Sequence, residues 1–569
     1  MPYIHYESHT INERLEALYS KEDAKKAYDD VKELVKKYKK RIQSNEYHLS
    51  EKDTILITYG DQVQCINEAP LETLLNFLDQ HLKGVINSVH ILPFYPYSSD
   101  DGFSVINYSE VDPKLGSWRE IEEISTHYRL MVDGVINHVS QYSNWFKAYL
   151  AQDEEYKNFF WDVDPSADLS MVVRPRATPL LSEFTDVDGK IHNIWSTFSR
   201  DQVDLNYSNY KVLVAVLDAL FYYVEKGSTL IRMDAIAFIW KEIGSESVHL
   251  PQTHELIQLM REVLHEVAPE VIIITETNVP HNENISYFGS GEDEAQMVYN
   301  FALPPLLAHS VLEGNTKKLT QWAQTLTLPS DKVCFFNFTA SHDGCGLRPV
   351  SDLLSDEEID RLVENTKKHG GLISYRDTFE GKKPYEINCS YIDILSAPLE
   401  TTQLRIKKML LTQAVVLSMP GVPGIYFHSL VGSRNYFEGV KLTGINRSIN
   451  REKFNYKHLI SLLSTDGNFE KTIFSSYKRL ISIRIHEKAF NPFGKFEFLD
   501  LGESIFTILQ HSVDDQEHIL VLNNFSDKNA SIVLPDYIGY PLADLLSDKI
   551  IDSPSTLEME PYQVLWLKY

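Results

Sequence analysis

Cysteine is scarce in this chain, and its spacing matches neither a disulfide framework nor a zinc motif. Four cysteines are spread over 569 residues, without a CxxC pair and without histidines at zinc-finger spacing. Small secreted scaffolds and zinc modules depend on such patterns. We therefore expect reduced thiols and no structural metal.

Long apolar runs and positive charge are also scarce. No apolar run reaches the roughly 18 residues of a membrane helix, and the opening MPYIHYESHT lacks the features of a secretory signal. There are 54 Lys and Arg residues against 80 Asp and Glu residues, a net charge of −26, which repels phosphate backbones and anionic lipids. We expect a cytoplasmic protein without nucleic-acid or membrane partners, and the sequence leaves the oligomeric state open, a homodimer included.

Apolar residues, in contrast, make up 43% of the chain, enough for a large core. From about residue 54, β-rich runs that end in polar residues alternate with helical stretches. No glycine-rich phosphate loop follows the first run, as it normally would in a doubly wound open sheet. The pattern predicts an α/β fold, a (β/α)8 TIM barrel with its site at the carboxyl ends of the strands. The seven runs are TILITYG, VINSVHILPF, YRLMVDGVINHV, STLIRMDAIAF, VIIITETN, CFFNFTASHD and GVPGIYF.

Some stretches depart from this alternation and define the predicted domains. The N-terminal segment is rich in Ala, Lys, Glu and Leu at helical spacing, two stretches are too long for ordinary loops, and the C-terminal part has strands separated by turns. The predicted division is an N-terminal helical extension (1–50), a barrel in three parts (51–140, 206–343 and 401–490), an inserted subdomain B (141–205), a second insertion (344–400) and a C-terminal all-β domain (491–569).

Three carboxylates follow apolar runs at separate strand ends: Asp234 in LIRMDAIAF, Glu276 in ITETN and Asp343 in SHDG. Retaining cleavage of a glycosidic bond needs a carboxylate nucleophile and a carboxylic acid, about 5 to 5.5 Å apart. We expect Asp234 to attack and Glu276 to donate the proton, because a neighbouring carboxylate in a water-poor pocket raises the pKa of Glu276. One such carboxylate alone is more often a cap or a surface ion pair, but the three together indicate glycoside chemistry.

Polar neighbours of these carboxylates extend the predicted site. Arg232 lies two residues before Asp234, hence on the same strand face, where it can keep that carboxylate ionised. His342 and Asp343, together with His138, are expected to bind sugar hydroxyls. The residues alone therefore predict a sugar pocket at the carboxyl edge of the barrel.

Four of these segments, VDGVINHV, IRMDAIAF, IITETN and NFTASHDG, resemble in order and spacing the catalytic motifs of the α-amylase superfamily, glycoside hydrolase family 13. LPFYPYSSDDGFSVINY, WSTFSRDQVDLNY, PYEINCSY, GVPGIYFHSLVGSRN and TGINRSINR are similar to its sucrose phosphorylase subgroup. The resemblance runs from about residue 50 and weakens in the C-terminal domain. It implies retaining chemistry without an organic cofactor or a catalytic metal.

The resemblance also implies a role for each matching position. Asp234 corresponds to the nucleophile, Glu276 to the general acid/base and Asp343 to the carboxylate that stabilises the transition state. Plain core packing is the alternative for the two phenylalanines among the remaining positions. The positions that carry over to the glucosyl pocket are Asp100, Phe103, His138, Phe198, Gln202, Arg232, His342 and Arg447.

A phosphorylase resolves its glucosyl-enzyme with inorganic phosphate, so this acidic chain needs a local cation. Arg174 and Arg176 in VVRPRATP, with the hydroxyl of Tyr385, stand where similar enzymes hold phosphate, and guanidinium groups bind phosphate bidentately. The alternative is that the two arginines only tie the inserted subdomain to the barrel.

Departures from true sucrose phosphorylases concern the acceptor. Asn278 replaces a His, Glu386 replaces a Gln, and GSRN with Arg434 replaces an Ala-Gly start. FYPYSSDDGFSV, RPRATPLL and FHSLVGSRN instead resemble the glucosylglycerate phosphorylases, which have a similar N-terminal extension. The carboxylate of glycerate needs a cation, which Arg434 or a subdomain arginine would supply.

The expected reaction is phosphorolysis of a 2-O-α-glucosylglycerate-type α-glucoside by double displacement, which gives α-glucose 1-phosphate. Its partners are thus a small α-glucoside and inorganic phosphate. The alternatives are a glucosylglycerol, sucrose or sucrose 6-phosphate phosphorylase, and an α-glucosidase or transglucosidase. A catalytically inactive binding homologue would usually have lost one of the three carboxylates.

Overall fold

The computed structural model describes residues 10–44, 47–176, 178–378, 381–552 and 556–569. Of the predicted divisions, residues 1–9 and 45–46 of the extension lie outside the described residues. So do residue 177 of subdomain B, residues 379–380 of the second insertion and residues 553–555 of the C-terminal domain.

Eight parallel strands form a closed barrel, each lying beside its neighbours in chain order. We number them β1 to β8: Ile55–Thr58, Ser88–Ile91, Arg129–Gly134, Ser228–Met233, Ile272–Thr275, Met297–Tyr299, Cys334–Asn337 and Val422–Tyr426. The ring closes at β1, where Ile55 pairs with Ser88 of β2 and Gly424 of β8. This closure confirms the predicted (β/α)8 TIM barrel.

Strand β6 is the one barrel strand that the seven apolar runs of the sequence do not include. It pairs with β5 through Met297 and Ile274, and with β7 through Met297 and Cys334. Three residues are too few to show a periodicity. Only the pairing to both neighbours identifies the segment as a strand.

Amphipathic helices cover the outside of the barrel. In Trp118–His127, Ser117 and Glu120 form a capping box, while Ile121 and Ile124 are buried. No helix within the described ranges is long and apolar enough to cross a membrane. The main helices after the strands are Pro70–His81, Trp118–His127, Tyr210–Glu225, Pro251–Val267, Leu303–Glu313, Thr402–Ser418 and Phe469–Arg484, with the shorter His281–Asn284, Lys317–Ala323, Phe427–Val431, Phe437–Thr443 and Tyr456–Ser464.

Two N-terminal helices, Ile11–Leu18 and Lys21–Tyr38, lie outside the layer of helices that surrounds the barrel strands. Their apolar residues are buried against barrel helices, and the hydroxyl of Tyr38 donates to Asp218 of Tyr210–Glu225 at 2.8 Å. The segment thus packs on the side of the barrel.

The insertions and the C-terminal domain are built mainly from short strands. The C-terminal part forms a six-stranded and a two-stranded sheet, as expected for an all-β domain. Its strands are Phe496–Asp500, Ile505–His511, His518–Asn524, Ala530–Ile532, Leu542–Asp544, Lys549–Ile551, Leu557–Met559 and Val564–Lys568. Between residues 138 and 204 the elements are His138–Ser140, Asn144–Leu150, Leu181–Thr185, Ile191–Trp195 and Gln202–Asp204, and between 345 and 395 they are Cys345–Gly346, Asp356–Lys368, Leu372–Thr378, Gly381–Asn388 and Tyr391–Leu395.

The chain enters β8 through Gly421, which lies close to the backbone of β7. Its φ is +126°, and a Cβ atom there would overlap the carbonyl oxygen of Phe335. Gly444 also has a positive φ, +70°, but a Cβ atom there would meet nothing within 4 Å. Alanine at Gly444 would therefore introduce backbone strain alone, whereas alanine at Gly421 would also introduce a steric clash in the barrel wall.

We expect Gly421→Ala to lower the free energy of unfolding by about 3 kcal/mol or more, because a backbone carbonyl of β7 would have to move. Gly444→Ala should cost only about 1 kcal/mol, the strain of a left-handed residue. Urea unfolding monitored by circular dichroism compares the two variants. Equal effects would contradict the close approach of β7 to Gly421.

Candidate active site

Backbone pairing at the carboxyl ends of the barrel strands brings three carboxylates together. Asp234 directly follows β4, and its N–H donates to the carbonyl of Gly134 at 3.1 Å. Glu276 directly follows β5, and its N–H donates to the carbonyl of Met233 at 3.2 Å. Asp343 lies in the segment after β7. The barrel thus converts three distant sequence positions into one site.

These carboxylates line one cavity at the carboxyl edge of the barrel. Arg232 is buried directly beneath it, with its side chain 2% exposed. The other predicted site residues that line the cavity are Asp100, Phe103, His138, Arg176, Phe198, Gln202, Asn278, His342, Tyr385 and Arg447. Most of the predicted site is therefore contiguous.

Arg232 joins two of the carboxylates. Its Nη1 donates to Asp234 Oδ1 at 2.9 Å and to Asp133 Oδ1 at 2.5 Å, and its Nη2 lies 3.7 Å from Glu276 Oε2. Asp133 is fully buried and also contacts His90 at 2.8 Å. Asp133 and His90 were missing from the sequence prediction, although a charged residue inside the apolar strand β3 was a usable signal.

The buried carboxyls differ in pKa. Burial raises the pKa of Glu276 to about 7, opposed by Arg232 and assisted by the charges of Asp234 and Asp343. Burial also raises the pKa of Asp234, but Arg232 and His138 oppose this effect. Asp234 has the closer contact with Arg232, so it should ionise before Glu276. The site therefore combines a carboxylate with a carboxylic acid near neutral pH.

Asp343 is held in its ionised form by a second arginine. Burial favours the neutral acid, but Arg447 and His342 lower the pKa of Asp343 well below its usual range. Arg447 Nη1 lies 2.5 Å from Asp343 Oδ1, while its Nε and Nη2 donate to Glu386 at 3.0 and 2.6 Å. Asp343 is thus fixed as an anion.

Aromatic rings and a polar group form the walls of the cavity. Phe103 stacks on His342 with ring centroids 4.6 Å apart and an interplanar angle of 5°. Phe198 contacts His138 at 5.3 Å, and Gln202 Nε2 lies 3.2 Å from His138 Nε2. Apolar ring faces combined with a few polar groups are typical of sugar-sized sites.

Besides Arg232, which lies beneath the cavity, three predicted binding residues do not line it. Arg174 is exposed, Arg434 donates to Asp393 at 2.7 Å, and Glu386 is buried behind Arg447. The lining also contains residues that the sequence prediction missed: Pro175, Ala235, Ala237, Phe238, Thr277, Val279 and Arg348. Arg348 follows Asp343 by five residues, which was a usable signal.

One group with metal-ligand character occurs among the described residues, and it belongs to the C-terminal domain. His511, Asp515 and His518 place a ligand atom each within 4.8 Å of one another, in the hairpin between two strands. None of the three lines the cavity. In the cavity itself, Asp234, Glu276 and Asp343 are in contact with the arginines Arg232 and Arg447.

Comparison with known proteins agrees with this geometry. Residues 78–345 match the family model of the α-amylase catalytic domain. The chain is 44% identical to glucosylglycerate phosphorylase of Spirochaeta thermophila over 98% of each chain. It is 43% identical to glucosylglycerate phosphorylase of Escherichia coli over 92% of this chain and 93% of the relative. The chain belongs to the sucrose phosphorylase-like subgroup of the α-amylase family.

Among solved structures, that of sucrose 6F-phosphate phosphorylase from Thermoanaerobacter thermosaccharolyticum has the same fold. The TM-score is 0.72 at 23% identity, covering 84% of this chain and 94% of that chain. This likeness shows the shared fold, and the relatives at 43 and 44% identity confirm the family membership that the motifs around Asp234, Glu276 and Asp343 indicated.

We expect Asp234→Asn to lower the pKa of Glu276 from about 7 toward its ordinary value of 4.5, because the substitution removes a neighbouring negative charge. Difference infrared spectroscopy can follow the protonated-carboxyl band during a pH titration, with Glu276→Gln to assign the band. Asp218→Asn, on an outer helix, is the matched control. An unchanged pKa in Asp234→Asn would contradict the electrostatic coupling.

Proposed function

We propose that this chain is a retaining glycoside phosphorylase, a glycosyltransferase that converts 2-O-α-glucosylglycerate and inorganic phosphate into α-glucose 1-phosphate and glycerate. The observation that carries the proposal is the pair of carboxyls, Asp234 and Glu276, that share Arg232 but differ in ionisation. Contact with one guanidinium, at 2.9 and 3.7 Å, favours the short separation of a retaining pair. The glucosylglycerate phosphorylases at 43 and 44% identity support the substrate.

In the first displacement, a carboxylate oxygen of Asp234 forms a bond with the anomeric carbon of the glucosyl unit. The bond from that carbon to the glycosidic oxygen breaks, and Glu276 transfers its proton to the departing oxygen of glycerate. Arg232 keeps Asp234 anionic for the attack. Asp343, held as an anion, stabilises the positive charge that develops on the ring.

In the second displacement, phosphate attacks the same carbon from the face that glycerate has left. Glu276, now ionised, accepts the proton of the attacking phosphate oxygen, and the bond to Asp234 breaks. Two inversions retain the α configuration. We assign phosphate binding to Arg176 and Tyr385, which both line the cavity.

The glucosyl unit is proposed to lie between the ring faces of Phe103 and Phe198. Asp100 and Arg447 would bind its hydroxyls far from the anomeric carbon. Arg176 Nη2 donates to Asp100 at 3.0 Å, which orients that carboxylate. His138, Gln202 and His342 are proposed to surround the ring, and Arg232 acts on the site from beneath the cavity through Asp234.

The proposed location is the cytoplasm, because α-glucose 1-phosphate carries a charged phosphate ester that does not cross a lipid bilayer unaided. A homodimer remains a prediction.

We expect purified enzyme with α-glucose 1-phosphate to release phosphate fastest when glycerate is the acceptor. Parallel reactions contain glycerol, fructose, fructose 6-phosphate or water alone, and phosphate is measured colorimetrically. Asp234→Ala, which removes the covalent step, serves as the blank. A stronger signal with another acceptor would overturn the glycerate assignment. Release with water alone would indicate a hydrolase.

We expect kcat/KM for glucosylglycerate to fall as the pH rises through about 7, because the neutral form of Glu276 is the proton donor. The active form is present below this pKa and is lost above it. The leaving group of α-glucosyl fluoride needs little protonation, so kcat/KM for this substrate should not change as the pH rises through about 7. For the same reason, the fluoride should restore glucosylation of Asp234 in Glu276→Gln. Failure of the fluoride to rescue this variant would exclude Glu276 as the acid.

A further inference from the structure

Three arginines line the cavity, and two of them are matched by carboxylates. Arg447 contacts both Asp343 and Glu386, at 2.5 and 2.6 Å. Arg176 donates to Asp100 at 3.0 Å. Carboxylates of the protein therefore offset the charge of both guanidinium groups.

The third, Arg348, has no such partner. Among the described residues its guanidinium makes no hydrogen bond, and the nearest carboxylate oxygen is Glu283 Oε2 at 3.7 Å. The side chain of Arg348 is 14% exposed, so its guanidinium keeps some access to the cavity. A half-buried cation that lines a cavity and lacks a hydrogen-bonded counter-ion is suited to binding an anionic ligand.

The pKa values agree with this contrast in geometry. Burial lowers the pKa of Arg348, and the distant charge of Glu283 does not compensate. Burial acts on Arg447 in the same direction, but Asp343 and Glu386 raise the pKa of Arg447 well above its usual value. The protein compensates the charge of Arg447 but not that of Arg348.

Arg348 lies on the side of the cavity that contains the proposed proton donor. Gly346, two residues before it, packs so tightly on Asn278 that a Cβ atom would lie 2.6 Å from its amide oxygen. Asn278 in turn follows Glu276 by two residues. The amide oxygen of Asn278 is buried and has no hydrogen-bond partner among the described residues. A cation and an unpaired polar group thus line the same cavity as the proposed proton donor Glu276.

We propose that Arg348 binds the carboxylate of a hydroxy-acid acceptor, and that the amide of Asn278 binds one of its free hydroxyls. This inference rests on the proposed function, in which glycerate departs through its 2-oxygen. That oxygen is on the carbon next to the carboxylate, so the anion comes close to Glu276 and Asp234. Arg348 offsets the repulsion between these like charges. Its planar fork also fits a carboxylate bidentately.

The test compares Arg348→Gln with the parent enzyme in the synthetic direction, using α-glucose 1-phosphate with glycerate or with glycerol. Glycerol retains the hydroxyls and lacks the carboxylate. We expect the ratio of kcat/KM for glycerate to that for glycerol to fall by roughly 30-fold, the usual effect of losing a hydrogen bond to a charged group. Arg348→Lys keeps the charge without the fork and should show a smaller fall.

Two measurements separate this role from a general loss of structure. Exchange of labelled phosphate into α-glucose 1-phosphate needs no acceptor and should change by less than about threefold in Arg348→Gln. Arg200→Gln, an exposed arginine over the ring of Phe184 at 4.3 Å, is the matched control and should leave the glycerate to glycerol ratio unchanged. Thermal unfolding of each variant reports folding, and Arg348→Lys carries the test if Arg348→Gln does not fold.

An unchanged ratio in Arg348→Gln would overturn the inference and leave the proposed function intact. An equal loss of phosphate exchange and glycerate use would also overturn it, because Arg348 would then be a common anion residue. If the parent enzyme itself does not use glycerate, the proposed function fails first, and this outcome is seen before any variant is made.

Discussion

The buried guanidinium of Arg232 is the interaction on which the site depends. It lies beneath the cavity floor and contacts carboxylates of three barrel strand ends, those of Asp133, Asp234 and Glu276. Removing one member of such a buried network leaves an uncompensated charge, which costs several kcal/mol. The arrangement orients Asp234 and also keeps it anionic. Glu276 has the longer contact with Arg232, which leaves its proton bound near neutral pH.

A second network, around Arg447, keeps Asp343 anionic, as the network around Arg232 does for Asp234. Glu386 holds Arg447 from behind, and Arg447 holds Asp343 at the cavity surface. In this acidic chain, charge at the site is thus balanced locally, one arginine for each group of carboxylates. Arg348 departs from this balance, and because it lines the same cavity as Asn278, we infer that the missing anion is part of the substrate.

The barrel and its insertions contribute different things to the cavity. Asp234, Glu276 and Asp343 come from the ends of barrel strands or the segments directly after them, whose positions are set by hydrogen-bonded pairing. Phe198 and Arg176 come from the first insertion, and Tyr385 comes from the second. Rigid strand ends suit the groups proposed to break bonds, whereas the insertions form walls that are proposed to select the ligand.

The sequence by itself determined the barrel, the three carboxylates and most of the other predicted residues that line the cavity. Apolar runs that end in polar residues report burial and strand direction locally, which is why Asp234, Glu276 and His138 were identified correctly as strand-end groups. The three-residue strand β6 has no local signature, because only its neighbours make it a strand. The direction of an insertion side chain likewise depends on contacts made far along the chain. Tertiary structure alone therefore decided that Arg348 reaches the cavity while Arg174 and Arg434 do not, and that Glu386 lies behind Arg447.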